Sequence, residues 1–483
     1  MNNKYDVIVI GAGIGGLTCG AYLSKDGLKV LVMEQHRLSG GYCGSFKRGD
    51  FTFDVGVHYL GSCSKGRMLS KVFNELEIEE KLLFKRANPS DLIVLPDFEV
   101  PIKNDILETA DTLSKIFPKE KENIYGFFKL IRNKNFLEIY LKFRNKTFKD
   151  CLDEYFSDNK IKSFFKILLG NIGLPSTKVA AVTGIVMYRQ FVLDGGFYPV
   201  GGMQVLPNLL VDSIENNGGK VLCSKKVVKV LTAGSSITSV IDEDDVSYSA
   251  DYFVSNVDPV EFFSYFDESN ILRQKHMHHL EKLTPSISAF IVYLGVESER
   301  CSYRSSVWKF DDYDIDRIYL EPFEGEFDRD LKYLICTFPS IHDSSLAPRG
   351  HISLSMLLAA PFKKRNEGKN FWNIEKNAIA DKMIAKLKKE VLRDLGEIKV
   401  KAIATPLTLE RYTKNQNGSL YGWASTVDQI SADLVPQKTF FNNLWLAGHW
   451  TTPGLGQGGI TGVAFSGRKV AKHLIKLLHR VKI

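Results

Sequence analysis

The chain has 483 residues and a formal net charge of +7, with 44% hydrophobic and 25% charged residues. This composition is typical of a folded globular protein, and it argues against a disordered chain, a coiled coil and a polytopic membrane protein. A chain of this length exceeds what one hydrophobic core supports, so we expect two or three intertwined domains.

The first predicted unit is a strand, a glycine turn, a helix and a second strand. Residues 5–10 are mostly β-branched and apolar, as in a strand buried on both faces of a parallel sheet. A GxGxxG turn follows, and glycines there let backbone amides and a helix N-terminus approach a pyrophosphate. The residues that we expect to bind a dinucleotide at this turn are Gly11, Gly13, Ile14, Gly15 and Gly16.

An acid ends the second strand of this unit. Glu34 lies 18 residues after Gly16, where an acid accepts hydrogen bonds from the adenosine ribose. The other interpretation of Glu34 is an ordinary solvated acid at a strand end. The complete strand–turn–helix–strand context favours the ribose contact.

A second glycine-rich stretch follows at residues 38–46. It includes Gly40, Gly41 and Ser45, and it lies where a cofactor longer than NAD would extend from the pyrophosphate towards a flavin. A plain turn at Gly40 and Gly41 is the alternative.

The next segment, residues 65–183, shows helical periodicity with few strand signals, which predicts a helical cap. Strand and glycine patterns return near Gly195, leave again beyond Pro259, and return near Thr405 for a last strand and a terminal helix. Part of the predicted cap, residues 119–170, holds 12 Lys or Arg against 7 Asp or Glu, interleaved with phenylalanines.

Several motifs together resemble one family. They are the turn at residues 11–16 with Glu34, the pair Gly40 and Gly41, FDVGVHYLG at 53–61, GFYPVGGM at 196–203, NGGKV at 217–221, LWLAG at 444–448 and PGLG at 453–456. This set is similar to the phytoene desaturase, carotenoid isomerase and retinol saturase family of FAD-dependent oxidoreductases. The Asp-x-Gly-x-His-Tyr variant resembles the retinol saturase branch most.

The resemblance implies non-covalent FAD and further cofactor contacts. Val227 would hold the adenine through its backbone. The carboxy-terminal glycine loop would lie along the pyrophosphate, the ribityl chain and the isoalloxazine of FAD through Gly448, Gly456 and Gly459. A terminal helix from about Ile460 would point its N-terminus at the flavin. Many relatives have an acid after the equivalent of Gly448, whereas this sequence has His449, so its contacts to the ribityl chain differ.

The resemblance also implies the fold: an α/β, Rossmann-like two-dinucleotide-binding-domain flavoprotein with a discontinuous α+β substrate domain. The FAD-binding domain is predicted at residues 1–64, 195–260 and 405–483. The substrate-binding domain, with its helical cap, is predicted at residues 65–194 and 261–404.

The expected activity is that of an FAD-dependent oxidoreductase on CH–CH groups of a hydrophobic polyene or isoprenoid, such as a carotenoid or retinoid. Saturation, desaturation and cis–trans isomerisation all fit. Rival interpretations are a flavoenzyme like the amine oxidases or protoporphyrinogen oxidases, and a non-catalytic lipid-binding protein like the Rab GDP-dissociation inhibitors.

A proton donor or acceptor near the flavin is needed if a proton moves with the hydride. His58 and Tyr59 are the candidate catalytic residues, because they follow the glycines predicted at the flavin end. For His58, a structural histidine packed under the cofactor is an equal alternative. Tyr198 and His449 are weaker candidates.

The sequence also predicts location and partners. No secretory signal pattern occurs at the N-terminus, so we expect a cytoplasmic protein. Residues 119–170 either rest on an anionic bilayer at the inner membrane face or form an ordinary amphipathic cap, which we favour. No nucleic-acid motif accompanies their charge. The seven cysteines show neither CxxC pairs nor metal-ligand spacing with histidines, so we predict no metal site.

Overall fold

The computed structural model describes residues 4–133, 135–298, 305–327, 330–362, 365–430, 435–451 and 459–481. Up to residue 64 these contain β1 (Lys4–Ile10), α1 (Ile14–Lys25), β2 (Val30–Met33), β3 (Ser45–Arg48) and β4 (Phe51–Asp54). Residues 65–194 contain α2 (Met68–Glu75), β5 (Phe84–Arg86), β6 (Asp91–Val94), β7 (Glu99–Ile102), α3 (Ile106–Ile116), α4 (Lys121–Arg132), α5 (Phe136–Phe143), α6 (Phe148–Tyr155), α7 (Asn159–Ile167) and α8 (Ala181–Met187).

The second half of the chain returns twice to the first sheet. Residues 195–260 contain β8 (Phe197–Pro199), α9 (Val205–Asn216), β9 (Lys220–Leu222), β10 (Val227–Ala233), β11 (Ser236–Asp242) and β12 (Ser247–Ser255), and then α10 (Pro259–Phe263) begins. Next come α11 (Ile271–Leu280), β13 (Ser288–Glu297), β14 (Ser306–Phe310), α12 (Ile315–Phe323), β15 (Tyr333–Thr337), β16 (His351–Ala360), α13 (Arg365–Lys386) and β17 (Ile398–Ala404). The last elements are α14 (Pro406–Thr413), β18 (Leu444–Leu446) and α15 (Gly459–Val481).

The first sheet is built around parallel strands whose apolar side chains are buried on both faces. Its order is β10-β11-β12-β1-β2-β9, and β18 also pairs with β12. Strands β9, β2, β1, β12 and β18 run parallel, with Ile10 opposite both Met33 and Ser255, and Ser255 opposite Leu446. Their carboxyl ends therefore meet at one edge, which is where open α/β sheets bind ligands.

Glycines let helices α1 and α15 cross in direct contact beside this edge. A Cβ built on Gly467 would lie 2.1 Å from the backbone oxygen of Gly15, and one on Gly16 would lie 2.1 Å from that of Gly11. No larger residue fits either position. The close crossing fixes the start of α15 next to the glycine turn that precedes α1.

The second sheet is mixed and carries the helical cap. Its order is β17-β13-β16-β15-β14-β6-β7. The phenylalanines of the basic segment pack in the core of this unit: Phe127, Phe128, Phe143, Phe148, Phe156, Phe164 and Phe165 are each at most 2% exposed. Their burial agrees with the interpretation of residues 119–170 as an ordinary amphipathic cap.

The hairpin of β3 and β4 joins the two sheets. Phe51 and Phe53 pack against Ile291 and Tyr293 of β13. The Tyr293 hydroxyl donates to the backbone oxygen of Val55 at 2.6 Å. This contact places the chain after β4, which includes His58, between the two sheets.

The strands of the first sheet come from the three segments predicted to bind FAD, and those of the second sheet from the two segments predicted to bind substrate. Helix α2, beyond residue 64, packs with the core of the first sheet through Leu69, Val72 and Phe73. The domain bounds stay a prediction. Among the helices of the described residues, none is long and apolar enough to cross a membrane.

Candidate functional site

One large cavity lies at the carboxyl edge of the first sheet and extends to the face of the second. It is bounded by the turn after β1, the acid after β2, the residues after β12 and β18, and the start of α15. At its far end it reaches Ile291 of β13 and Leu357 of β16. The shape suits a long ligand with one end at each sheet.

Only some residues of the predicted glycine turn line this cavity. Gly11, Gly13 and Ile14 line it, with Gly13 as the N-terminal cap of α1. Gly15 and Gly16 lie within α1 and serve the packing against α15 and the turn. The cavity therefore meets the positive end of the α1 dipole, where phosphate oxygens are stabilised.

Glu34 lines the cavity and ties the turn to the chain after β2. One carboxylate oxygen accepts from the Ala12 amide at 2.8 Å and the other from the His36 amide at 3.0 Å. A carboxylate oxygen accepts more than one hydrogen bond, so both can still accept from ribose hydroxyls. The Lys225 amide donates to the Glu34 backbone oxygen at 2.8 Å, which brings Val227, another lining residue, to this end.

The second glycine stretch lies directly against the first. The Gly40 amide donates to the Ala12 backbone oxygen at 2.8 Å, and Gly40 and Gly41 both line the cavity. Ser45 lies elsewhere: its hydroxyl donates to Asp54 at 2.7 Å, and its amide donates to the Gln204 side chain at 3.1 Å. The structure thus brings Gly40 and Gly41, but not Ser45, to the site.

The carboxy-terminal residues close the same cavity. Gly448, His449, Gly459 and Ile460 line it, whereas Gly456 lies outside the described residues. The Thr461 hydroxyl donates to the Gly61 backbone oxygen at 3.2 Å, which ties the first turn of α15 to the segment that carries His58. The predicted orientation of this helix, with its N-terminus towards the cavity, agrees with the structure.

Asn256 is a lining residue that the sequence analysis missed. It follows β12 and lies between the two glycine loops: a Cβ on Gly15 would be 2.5 Å from its Oδ1, and one on Gly448 would be 2.4 Å away. That oxygen is buried and has no hydrogen-bond partner among the described residues. Its place at the end of a parallel strand beside β1 is the signal that would have found it.

His58 and Tyr59 both line the cavity, but their surroundings differ. Burial lowers the pKa of His58 to about 4, so its imidazole is neutral near pH 7. The Tyr59 hydroxyl donates to Asp91 at 2.9 Å, and burial and this carboxylate raise the pKa of Tyr59 well above its usual value. Tyr59 thus has its proton engaged, whereas His58 can give or accept one.

Of the two weaker candidates, Tyr198 and His449, only His449 lines the cavity. Tyr198 is fully buried and donates to Asp54 at 2.5 Å, away from the cavity lining. Burial lowers the pKa of His449 to about 4, and its Nε2 has no hydrogen-bond partner within the described part of the chain. A neutral imidazole thus lies where the resemblance implies an acid in many relatives.

The far end of the cavity comes from segments that are distant in sequence. It is lined by Tyr42, Val57, Leu60, Asn171, Phe191, Ile291, Leu357, Leu420 and Tyr421. Phe191 lies in a π-helical turn, Tyr188–Val192, that continues α8, and a Cβ on Gly459 would lie 3.2 Å from its ring. Tyr42, Val57 and Leu60 lie within the motifs at residues 38–46 and 53–61, but none of the nine is predicted from the sequence as a site residue. The other six join them only through tertiary packing, which local sequence patterns do not show.

These residues fit FAD. Glycines, a helix N-terminus and an acid lie at one end. Beside both glycine loops, Asn256 supplies a buried acceptor that has no partner among the residues the structure describes. The apolar far end suits a flavin ring and an adjoining substrate. Gly11 and Gly448, 437 positions apart in the sequence, line the same cavity, as one dinucleotide spanning both loops requires.

Comparisons with known proteins agree with this site. The model of the family described as "NAD(P)-binding Rossmann-like domain" matches residues 9–76. Prolycopene isomerase 2 from an Oncidium hybrid cultivar is 25% identical over 96% of this chain and 82% of its own length. All-trans-retinol 13,14-reductase from Danio rerio is 24% identical over 92% of this chain and 82% of its own length.

The chain is a distant relative of both proteins along nearly its whole length. The resemblance predicted from the motifs is thereby confirmed. Among solved structures, an oxidoreductase from Methanosarcina mazei superposes with a TM-score of 0.69 at 19% identity, over 97% of this chain and 100% of that one. The predicted fold class, α/β with a Rossmann-like dinucleotide-binding domain, is confirmed as well.

Proposed function

We propose that the protein is an FAD-dependent oxidoreductase that acts on carbon–carbon double bonds of a hydrophobic polyene or isoprenoid. The reaction is a saturation, a desaturation or a cis–trans isomerisation. Support comes from two relatives, a prolycopene isomerase and a retinol reductase, which are both named for polyene substrates.

The observation that carries the proposal is the chemistry of the far end of the cavity. Its lining is mainly aliphatic and aromatic, and Glu34 at the nucleotide end is the one carboxylate among the described lining residues. A cationic amine would leave its charge unpaired there, which is costly in a buried site. A long uncharged substrate meets no such cost.

FAD, when bound, supplies the acceptor or donor of hydride. The residues of this chain do the rest. The apolar walls exclude water and hold the reacting carbons in place, which supplies much of the rate of such a transfer. His58, which is neutral, takes the accompanying proton at its unprotonated nitrogen, or gives the proton of its other nitrogen while it takes one back at the first. The N-terminus of α15 lends partial positive charge to the same region.

The test is anaerobic mixing of the purified flavoprotein with carotenoids, retinoids and amines while the flavin absorption is followed. A spectral response to a polyene, with product identified by chromatography, supports the proposal. A response to amines alone contradicts it and favours the amine-oxidase alternative. A colourless protein that does not take up FAD favours the lipid-binding alternative.

Contact with an anionic bilayer, the less favoured of the two alternatives for residues 119–170, is proposed for helix α5 alone. Its Leu137 and Leu141 are 64% and 58% exposed, and the basic side chains of Arg132, Lys142 and Arg144 lie nearby in the chain. Exposed leucines flanked by cations fit an interfacial helix.

Sedimentation with vesicles of phosphatidylglycerol tests this contact. Leu137→Glu combined with Leu141→Glu is expected to reduce the bound fraction. The control Leu83→Glu replaces a leucine that is 69% exposed elsewhere on the surface, and it is expected to have no effect. Equal binding by all three proteins would contradict a role for α5.

A further inference from the structure

A second, small cavity lies directly behind His58. Val57 and His58 line both this cavity and the main one, so these two residues lie at the boundary between the two spaces. Its volume is about 10 Å³, close to the least that admits one water molecule. We refer to it as the rear chamber.

The rear chamber is rich in polar side chains for so small and buried a space. Besides His58 it is lined by Asp54, Ser305, Thr337, His342 and Ser355. A water is held in a protein when it finds two to four polar partners, and these side chains supply them. The chamber thus has the size and the chemistry of a single-water site.

His342 is held firmly at the wall of this chamber. Its Nε2 and the Ser305 hydroxyl are 2.7 Å apart, and its ring stacks on Tyr198 with centroids 4.8 Å apart and an angle of 16°. Tyr198 is fixed in turn by the hydrogen bond that it donates to Asp54. Burial, together with the nearby charge of exposed Lys85, lowers the pKa of His342 to about 4.

We propose that one buried water in the rear chamber connects His58 to the Ser305–His342 pair, and that His342 and Ser305 are positioning residues for proton exchange at His58. This inference rests on the proposed function for its role in turnover. It adds to that function a proton route that enters from the side facing away from the main cavity.

Reduction of a carbon–carbon double bond consumes one hydride, which FAD would supply when bound, and one proton, which comes from solvent. His58 gives the proton from one ring nitrogen to the substrate carbon and takes one at its other nitrogen from the chamber water. The water takes a proton from the Ser305 hydroxyl and Ser305 takes one from His342. His342, which is 5% exposed, takes the replacement proton from solvent, so every relay group ends neutral and the route balances. In a desaturation every transfer runs in the opposite direction.

The test uses His342→Gln and Ser305→Ala in the full-length flavoprotein, with His473→Gln as control. His473 is an exposed histidine on α15, outside the linings of both cavities. Neither His342 nor Ser305 lines the main cavity, so flavin content is expected to stay at the wild-type level. If one of the two test variants, His342→Gln or Ser305→Ala, does not fold, the other is used alone for the test.

The first readouts need no turnover. A high-resolution crystal structure is expected to show one ordered water between His58 and Ser305. Histidine ¹⁵N NMR is expected to show a changed tautomer ratio at His58 in His342→Gln and Ser305→Ala, and no change in His473→Gln. An empty chamber with unchanged His58 signals would overturn the proposal whatever the substrate is.

The second readout is steady-state turnover of a polyene. His342→Gln is expected to lower kcat about tenfold or more with KM unchanged, and to raise the solvent deuterium isotope effect. A wild-type enzyme that turns over polyenes, with a His342→Gln variant equal to it in kcat and isotope effect, would refute the route and leave the proposed function intact. Failure of the wild-type protein to react with any polyene would refute the proposed function. The crystal structure and the histidine NMR would then still test whether a water in the rear chamber connects His58 to Ser305.

Discussion

Replacement of Gly448 by alanine tests how closely the two glycine loops approach. Gly448 has a φ of +92°, and its added Cβ would lie 2.4 Å from Asn256 Oδ1. Left-handed backbone costs a non-glycine residue about 1–2 kcal/mol. Relief of the clash costs a further ~1–3 kcal/mol. Gly448→Ala is therefore expected to lower the free energy of unfolding by about 2–5 kcal/mol. It is also expected to reduce flavin content, because the residue that must move, Asn256, lines the cavity.

A matched control separates the two costs. Gly27 also has a positive φ, +84°, but an added Cβ would meet nothing within 4 Å. Gly27→Ala is expected to lose only about 1–2 kcal/mol and to keep its flavin. Urea denaturation and the ratio of flavin to protein absorbance measure both effects. Equal stability and equal flavin content in the two variants would refute the close approach of the loops.

Four other substitutions test the nucleotide end, a buried acid and the cap. Glu34→Ala removes a charged acceptor whose hydrogen bonds are worth about 1.5–3 kcal/mol each. FAD is therefore expected to bind ~10- to 150-fold more weakly in a fluorescence titration. The control Glu215→Ala, at an exposed glutamate, is expected to leave the Kd of FAD unchanged. Gly13→Val places a side chain at the cavity wall and is expected to give folded, flavin-poor protein; full flavin content would count against the assigned turn. Burial raises the pKa of Asp258 from 3.8 to about 7, so the stability that this carboxyl contributes is fully present below pH 4 and is lost as the pH rises through 7. The difference in free energy of unfolding between wild type and Asp258→Asn is therefore expected to shrink by about 4 kcal/mol between pH 4 and pH 7. A difference that stays constant over this range would refute the raised pKa. Phe127→Ala, within the aromatic core of the cap, is expected to cost about 3–5 kcal/mol, against about 0.5 kcal/mol or less for exposed Leu137→Ala; equal losses would contradict the core role.

Local patterns in the sequence predicted the nucleotide end of the site well. The turn at Gly11 and Gly13 and the acid Glu34 belong to one continuous βαβ unit, so their contacts depend on residues nearby in the chain. The terminal helix, predicted from about Ile460, begins at Gly459. Short-range spacing and backbone geometry are sufficient for features of this kind.

The substrate end could not be predicted in this way. Strand β6 is only four residues long and pairs with β14, more than 200 positions away, inside a segment that was predicted to be mainly helical. Ile291, Leu357 and Asn171 reach the cavity only through the packing of the cap and the second sheet. Ser45 shows the converse: its position beside the second glycine stretch predicts a cofactor contact, but its hydroxyl donates to Asp54.

The most direct test of the account is to identify and count the flavin. The protein, purified in the dark, is denatured, and the released cofactor is resolved by chromatography and quantified against protein. We expect FAD, released without proteolysis, at about one molecule per chain, since a single cavity joins the two glycine loops. FMN alone, or a colourless protein that takes up no added FAD, would contradict a dinucleotide that spans both loops.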